Sequence, residues 1–302
     1  MLRAEARRRS GAHDEPAAVP RGAGVTSLPP VSLVTGGASG LGRALAQALA
    51  ARGGRVVIVD RSPDVHSTAR DLAAPGSRPV SAFELDIRDD AAVGRAVAAV
   101  LAEHGHIDLL VNNAGVTRPG DALDLPADAW DEVFDVNVRG AVNTIRACYP
   151  AMVARGNGQI LNIASVSGLV PGPLNTPYAT SKHAVVGLSL SLRAEAAAYG
   201  VRVSVACPSS VDTLLLRAHK PPPSRVDESP MPALWKRRAA WLTMGLPGRS
   251  AARESTVEQI LAGLLRDAAI IPTGHARMAW RIARASPAAT GWGARLQARS
   301  LR

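Results

Sequence analysis

The stretch VSLVTGGASGLG at residues 31–42 joins a short apolar, β-branched run to a glycine-rich turn, and a helix-length segment follows directly. Glycines allow a tight turn and let the backbone approach a diphosphate, whose charge is stabilised at the helix N-terminus. Glycines at this spacing are a weak signal alone in a chain that contains 27 of them. The strand–turn–helix context strengthens the signal. We therefore predict a dinucleotide-binding loop that contains Gly36, Ser39, Gly40, Leu41 and Gly42.

The same alternation of apolar runs and helix-length segments continues along the chain. Strands that alternate with helices indicate βαβ units and a parallel sheet. Runs that are apolar throughout indicate that helices cover both sides of that sheet. We predict an α/β fold, a single doubly wound parallel sheet with helices on both faces. The predicted strands are 31–35, 55–60, 80–85, 107–111, 158–163, 201–206 and a short one near 270–272, and the predicted helices include 41–52, 89–104, 128–152, 178–199 and 254–267.

The chain divides by composition. Residues 1–30 are rich in Arg, Ala, Gly and Pro without apolar periodicity, which predicts a disordered N-terminal extension. Residues 31–274 form the predicted folded domain. Within it, residues 213–250 contain prolines followed by Leu and Trp. Long loops in compact domains are often lids, so we predict a substrate lid here. Residues 275–302 form a basic C-terminal tail that contains arginines and no acidic residue.

The composition argues against several classes of protein. No window approaches 18 uninterrupted apolar residues, so a membrane-spanning helix is not expected. Cys148 and Cys207 lack a CxxC partner, which argues against a disulfide scaffold and a metal site. Without a signal-type segment at the start, we expect a cytoplasmic protein. The net charge of +10 is concentrated in residues 217–302, away from the glycine loop, so we expect no nucleic-acid partner.

Asp60 ends the second predicted strand, 24 residues after Gly36. A carboxylate at this place accepts hydrogen bonds from a ribose diol of a dinucleotide. It also repels the 2′-phosphate of NADP, which favours NAD as the cofactor. The adjacent Arg61 is the competing feature, because a guanidinium can bind that phosphate. The sequence favours NAD over NADP and leaves NADP open.

Tyr178 and Lys182 are four residues apart on a predicted helix, in a chain with three tyrosines. Residues at this spacing are neighbours on one helical face. A nearby ammonium group favours the phenolate and lowers the tyrosine pKa toward working pH, which suits a proton donor or acceptor. An exposed structural pair is the alternative, and the glycine loop upstream argues against it.

Two polar residues complete the candidate site. Ser165 follows the predicted strand 158–163 and so lies at the carboxyl edge of the sheet, where ligands bind in open α/β folds. Asn137 falls on the apolar stripe of the predicted helix 128–152, where a buried amide must be hydrogen-bonded. A structural amide satisfied by neighbouring backbone is the alternative for Asn137.

Taken together, these motifs resemble the short-chain dehydrogenase/reductase family. They occur in the family's order and at its usual spacing over residues 31–216, and the match extends over about 240 residues when the weaker segment 254–272 is included. The resemblance implies that residues 31–274 are a Rossmann-fold catalytic domain. The matching motifs are TGGASGLG at 35–42, Asp60, Asp86-Ile87, NNAG at 112–115, Asn137, Ser165, YATSK at 178–182, and Pro208 followed by Val211 and Thr213.

The resemblance also implies roles for these residues. Tyr178 exchanges the proton, and Lys182 holds the nicotinamide ribose and lowers the tyrosine pKa. Ser165 binds the substrate oxygen, and Asn137 holds a water molecule in a proton relay. The other residues expected to bind the cofactor are Asp86 and Ile87 beside adenine, Asn113 and Gly115 in the cleft, and Val211 and Thr213 at the nicotinamide amide. Ser209 departs from the family, in which a glycine commonly follows the proline.

The expected activity is hydride transfer between NAD and a secondary alcohol or ketone, in a homodimer or homotetramer. An NADPH-dependent carbonyl or 3-oxoacyl reductase and a non-catalytic nucleotide-binding relative are the alternatives. The intact set of Ser165, Tyr178 and Lys182 argues against the latter. An uncharged pocket predicts a lipophilic substrate, with walls formed by Val166, Leu169, Val170, Leu174, Leu214, Leu215, Leu216, Trp235 and Trp241.

The basic tail allows two interpretations. Arginine mixed with tryptophan and other apolar residues is typical of a helix at a membrane interface, which predicts weak peripheral contact with a membrane. Pro287, Gly291 and Gly293 argue against a long helix. The tail packed on its own domain or on a neighbouring subunit is the alternative.

Overall fold

The computed structural model describes residues 31–73, 78–209 and 252–300. The predicted disordered extension 1–30, the predicted lid 213–250, and Val211 and Thr213 lie outside the described residues. Seven parallel strands form one sheet in the order β3-β2-β1-β4-β5-β6-β7. The strands are β1 Val31–Thr35, β2 Arg55–Asp60, β3 Val80–Glu84, β4 Leu109–Asn112, β5 Gly158–Ile163, β6 Val201–Cys207 and β7 Ile270–Pro272.

Nine α-helices connect and cover these strands within the described residues. They are α1 Gly40–Ala51, α2 Asp64–Leu72, α3 Asp90–His104, α4 Ala127–Phe134, α5 Ala141–Arg155, α6 Thr176–Ala196, α7 Arg253–Leu265, α8 Ala276–Ala285 and α9 Pro287–Ser300. A π-helical segment, Asp135–Gly140, joins α4 to α5, so the predicted helix 128–152 is continuous in space but not uniform in its winding. The predicted α/β fold with a doubly wound parallel sheet is confirmed.

The core lies in two layers because the strands are apolar on both faces. On one face α1, α2 and α7 pack against the sheet through residues such as Leu45 and Ile260, which are completely buried. On the other face α3, α5 and α6 pack through residues such as Val97 and Met152. The strand order changes direction at β1: β2 and β3 are added on one side of it, and β4 to β7 on the other. The carboxyl ends of the neighbouring parallel strands β1 and β4 therefore border one crevice.

A buried polar chain crosses the centre of the sheet beside this crevice. Asn112 Nδ2 on β4 donates to Asn162 Oδ1 on β5 at 2.9 Å. Asn162 Nδ2 in turn donates to Ser189 Oγ on α6 at 2.9 Å. Buried amides need such partners, so this chain fixes α6 against the two central strands.

We expect Asn162→Ala to lower the free energy of unfolding by about 2 kcal/mol, because it removes the buried hydrogen bonds to the Asn112 amide and the Ser189 hydroxyl. Urea denaturation measures this change. The exposed Asn157 provides the matched control, and Asn157→Ala is expected to change stability by less than about 0.5 kcal/mol. Equal stabilities of the two variants would contradict the role assigned to the polar chain.

Candidate active site

The glycine loop begins where β1 ends and packs too closely for side chains. Gly36 has φ +65°, a conformation that favours glycine. A Cβ atom at Gly42 would lie 2.1 Å from the Gly36 carbonyl oxygen. Gly42 therefore serves the packing of the loop, and the structure does not place it in the cavity wall. The loop leads directly into α1, whose first backbone N–H groups are suited to bind a diphosphate.

A cavity of about 400 Å³ opens above the carboxyl edge of the sheet. Most of the residues predicted to bind the cofactor or substrate line it, although they come from β1, β2, β4, β5 and α6. The predicted residues in its wall are Gly36, Ser39, Gly40, Leu41, Asp60, Asp86, Ile87, Asn113, Gly115, Ser165, Tyr178 and Lys182. These wall residues extend from the glycine loop to α6, which suits a dinucleotide with a substrate beside it.

The carboxylate of Asp60 is held by backbone at one end of this cavity. Its Oδ2 accepts from Ala38 N at 3.1 Å, and its Oδ1 accepts from Ser62 N at 3.1 Å. Arg61 lines the same cavity. Both features that bear on the choice between NAD and NADP are thus in the wall.

Asp86 lies in the wall between the glycine loop and α3. Hydrogen bonds from Arg88, at 2.7 Å from Nη2 and 2.9 Å from Nε, hold the pKa of the Asp86 carboxyl below its usual value, against partial burial, which raises it. The carboxylate is therefore ionised and oriented before any ligand arrives.

Asn113 uses its side chain to tie β4 to the glycine loop. Its Nδ2 donates to the Thr35 carbonyl oxygen at 3.0 Å and to the Gly36 carbonyl oxygen at 3.2 Å. The Thr35 hydroxyl accepts from the Asn113 backbone N–H at 3.0 Å in return. These bonds join the two strand ends that border the crevice, so Asn113 shapes the cavity as well as lining it.

Tyr178 and Lys182 lie one turn apart on α6, as predicted, with the Lys182 Nζ atom 5.5 Å from the centre of the tyrosine ring. Lys182 is 4% exposed, and its Nζ donates to the Ile163 carbonyl oxygen at 2.9 Å. Burial lowers the pKa of Lys182 to about 8, against a smaller opposing contribution from Cys207. The hydrogen bond to Ile163 thus fixes the Lys182 ammonium at the end of β5.

The pKa of Tyr178 differs from the expectation. Burial raises this pKa, a hydrogen bond with Ser165 lowers it in part, and Cys207 raises it slightly. The Lys182 ammonium lies beside the tyrosine ring and donates to the Ile163 carbonyl oxygen. The hydroxyl of Ser165 is the group that favours the phenolate here.

Asn137 lies in the π-helical segment, 2% exposed, and its amide group is fully used within the protein. Its Oδ1 accepts from Val116 N at 2.8 Å, and its Nδ2 donates to Val116 O at 2.9 Å and to Ser181 Oγ at 2.9 Å. The side chain is therefore the structural amide of the alternative interpretation. The role of Asn137 in holding a water molecule stays a prediction.

Two polar residues that the sequence analysis missed lie in the wall close to Tyr178. Thr117 Oγ1 donates to Asn175 Oδ1 at 2.8 Å. Thr117 follows the NNAG motif by two residues, and Asn175 precedes α6 directly. Their positions next to the NNAG motif and α6 are the sequence signal that could have identified them as wall residues.

Part of the predicted apolar wall is wrong. Leu169 and Val170 do not line the cavity, because α8 covers this segment and packs on it through Ala276, Ala279 and Ala283. Leu174 is also absent from the wall, whereas Val166 lines it. The other predicted wall residues, Leu214, Leu215, Leu216, Trp235 and Trp241, lie outside the described residues. The wall that is described is mixed in polarity.

Comparison with known proteins defines the class. The family profile described as short chain dehydrogenase matches residues 30–223. The chain belongs to the short-chain dehydrogenase/reductase family, as the motifs predicted, and is an oxidoreductase of that family.

Within the described residues, no three His, Cys, Asp or Glu side chains are grouped to hold a metal ion.

Three similar proteins show how far the likeness extends. Oxidoreductase UcpA of Escherichia coli (strain K12) is 40% identical over 183 residues, which cover 60% of this chain and 69% of that protein. The 2-(R)-hydroxypropyl-CoM dehydrogenase of Xanthobacter autotrophicus is 40% identical over 187 residues, 61% of this chain and 75% of that protein. The solved structure of a Mycobacterium paratuberculosis short chain dehydrogenase bound to NAD is 30% identical, with a TM-score of 0.71 over 82% of this chain and 98% of that one.

Replacing Ser165 with Ala is expected to raise the pKa of Tyr178 further, because it removes the hydrogen bond that lowers that pKa. The ultraviolet absorbance of tyrosinate, titrated with pH and corrected with a Tyr178→Phe baseline, measures the shift. Ser167→Ala is the control, since the hydroxyl of that buried neighbour is not a cause of the Tyr178 shift. A Tyr178 pKa that stays constant or falls in Ser165→Ala would contradict this account.

Proposed function

We propose that this protein is an NAD-dependent oxidoreductase that transfers a hydride between a secondary alcohol and a ketone. The observation that carries the proposal is the hydrogen-bonded pair of Ser165 and Tyr178, with the buried Lys182 behind it, in one cavity with the glycine loop. The similar Xanthobacter protein is named for 2-(R)-hydroxypropyl-CoM, a secondary alcohol, which supports the substrate class.

The residues of the cavity fit the cofactor. The glycine loop and the start of α1 suit the diphosphate, Asp60 suits a ribose diol, and the Lys182 ammonium lies at the opposite end beside Tyr178. When bound, the nicotinamide ring supplies the hydride chemistry, and the protein supplies orientation and proton handling.

The proton is handled by the two hydroxyl groups. Ser165 and Tyr178 line the same cavity, and the Ser165 hydroxyl lowers the pKa of Tyr178, so both hydroxyl groups are available to one substrate oxygen. During alcohol oxidation Tyr178 accepts the hydroxyl proton, and during ketone reduction it donates one. Lys182 stabilises the phenolate that forms, because its buried ammonium lies 5.5 Å from the ring centre. Asn137 fixes Val116 and Ser181 and so holds the β4 loop against α6.

We expect Tyr178→Phe to lower turnover by about 10²–10⁴-fold while leaving NAD affinity within about threefold, because Phe keeps the ring and removes the proton-transferring hydroxyl. Spectrophotometric assay of NADH and calorimetric titration of NAD measure the two effects. Tyr199→Phe is the control, since Tyr199 is 51% exposed and does not line the cavity. Retention of more than about a tenth of wild-type turnover in Tyr178→Phe would rule out the assignment.

The preference for NAD rests on Asp60. Its carboxylate, held by Ala38 N and Ser62 N, places negative charge where a 2′-phosphate would have to lie. Arg61 in the same wall favours the second candidate, an NADPH-dependent carbonyl or 3-oxoacyl reductase.

Asp60→Asn is expected to improve NADP affinity relative to NAD by at least about tenfold, because it removes a like-charge repulsion worth several kcal/mol. Binding of NADH and NADPH, followed by fluorescence, gives the ratio. Asp64→Asn on α2 removes the same charge from an exposed position outside the cavity and is expected to leave the ratio unchanged. A wild-type protein that already binds NADPH more tightly would instead support the second candidate.

The proposal extends to the polarity of the substrate and to the assembly of the protein. A lipophilic substrate is supported by Val166 in the described wall and by the Leu and Trp content of residues 213–250, whereas Thr117 and Asn175 add a polar side to the same wall. Assembly as a homodimer or homotetramer is proposed from the family. A cytoplasmic location is proposed from the composition. In the described part of the chain, no helix combines the length and the apolar character needed to cross a bilayer.

A further inference from the structure

A second cavity, of about 290 Å³, lies at the free edge of β7 and shares no residue with the cofactor cavity. It is bordered by the end of α7, by β7 and by the first turns of α8. Its floor is apolar and includes Ile271 and Pro272, and its rim carries Arg266, Arg277 and Arg281 beside Trp280. We refer to it below as the arginine cavity.

The described residues around the arginine cavity leave its positive charge unbalanced. None of its lining residues is acidic, and no Asp or Glu follows Asp267 in the sequence. The Asp267 carboxylate is itself held by Arg193 through two hydrogen bonds of 2.9 Å. Among the described residues, Arg266 and Arg281 form no ion pair, and Arg277 uses only its Nε, which donates to the Pro272 carbonyl oxygen at 3.0 Å.

Arg277 and Arg281 are also four residues apart on α8, where like charges repel each other across one turn. An anion between the guanidinium groups would remove this repulsion. Guanidinium groups bind phosphate through paired N–H···O bonds, and three of them around a cavity match the several oxygens of one phosphate group.

The outer surface of α8 adds an apolar stripe next to these charges. Met278 is 47% exposed and Ile282 is 37% exposed, one turn apart on the helix. The opposite side of α8 is closed, because Ala276, Ala279 and Ala283 pack on Val166 and Val170. A helix with arginines flanking an exposed apolar stripe is typical of segments that lie in the membrane interface.

We propose that α8 docks this protein on a membrane surface that carries anionic phosphate headgroups. The arginine cavity holds a headgroup phosphate, and Met278 and Ile282 enter the boundary of the acyl chains. Since the buried side of α8 contacts the segment that follows Ser165, the docked membrane lies about one helix diameter, roughly 10 Å, from that segment. The proposal is independent of the reaction assigned above.

Vesicle flotation with the full chain tests the proposal. We expect the chain to float with equimolar phosphatidylcholine and phosphatidylglycerol and to stay unbound with phosphatidylcholine alone. The triple variant Arg266→Gln, Arg277→Gln, Arg281→Gln is expected to weaken partitioning by about 100-fold, as removal of three charges at the surface requires. Unchanged partitioning of this variant would overturn the proposal.

A matched variant tests whether the loss of vesicle partitioning comes from the arginine cavity or from the lower total charge of the protein. Arg55→Gln, Arg70→Gln and Arg95→Gln together remove the same charge from exposed positions on β2, α2 and α3. Screening confines the effect of such distant charges, so the expected loss is below about threefold. Equal losses in the two triple variants would overturn the site. Unchanged thermal unfolding and NAD binding establish that both variants fold.

A third variant and a soluble probe identify the source of the phosphate. Met278→Ser with Ile282→Ser is expected to weaken vesicle partitioning at least about fivefold while calorimetric binding of glycerol 3-phosphate stays as in the wild type. Partitioning that is insensitive to these serines, together with tight binding of glycerol 3-phosphate, would replace the membrane with a free phosphate ester. A smaller mass in solution for the arginine variant, without vesicle binding by the wild type, would make the face an interface between copies of this chain.

Discussion

The hydrogen bond from the buried Lys182 ammonium to the Ile163 carbonyl oxygen organises the candidate active site. It joins α6 to the carboxyl end of β5, and so it sets Tyr178, one turn earlier on the helix, opposite Ser165, two residues after the strand. A buried cation without such a partner would be costly, and here the cost appears as a Lys182 pKa of about 8. The buried polar chain from Asn112 through Asn162 to Ser189 also joins this helix to the central strands.

Much of the fold can be predicted from the sequence, because short β-branched runs between helix-length segments are compatible with few folds other than a parallel α/β sheet. β1, β2 and β5 begin and end at the predicted residues. The glycine loop could be predicted from its local sequence, although Asn113 and Asp60 hold it through hydrogen bonds over longer sequence distances. The candidate catalytic residues could be predicted from motifs, but their hydrogen bonds could not, because the partners of Asn137 are 21 and 44 residues away in the sequence.

The wrong prediction of Leu169 and Val170 as pocket walls has a physical cause. The sequence predicts Leu169 and Val170 as pocket walls because they are apolar and close to Ser165. Such residues can face either a ligand or another element, and here they pack against α8. The tail itself forms two helices, α8 and α9, with Pro287 as the first residue of α9, a place where proline is tolerated. One face of α8 packs on the domain, and Met278 and Ile282 on another face are exposed. The two interpretations of the tail are therefore compatible.

Transfer of deuterium tests the central claim, that this cavity moves a hydride from carbon to NAD while Tyr178 takes the proton. A panel of secondary alcohols, from 2-butanol and cyclohexanol to 2-octanol, each deuterated at the carbinol carbon, is incubated with the full chain and NAD. Mass spectrometry then gives the isotopic content of the reduced cofactor. The account predicts reduced cofactor that carries one deuterium for each ketone formed. Unlabelled reduced cofactor, or no reduced cofactor with any alcohol of the panel, would contradict it.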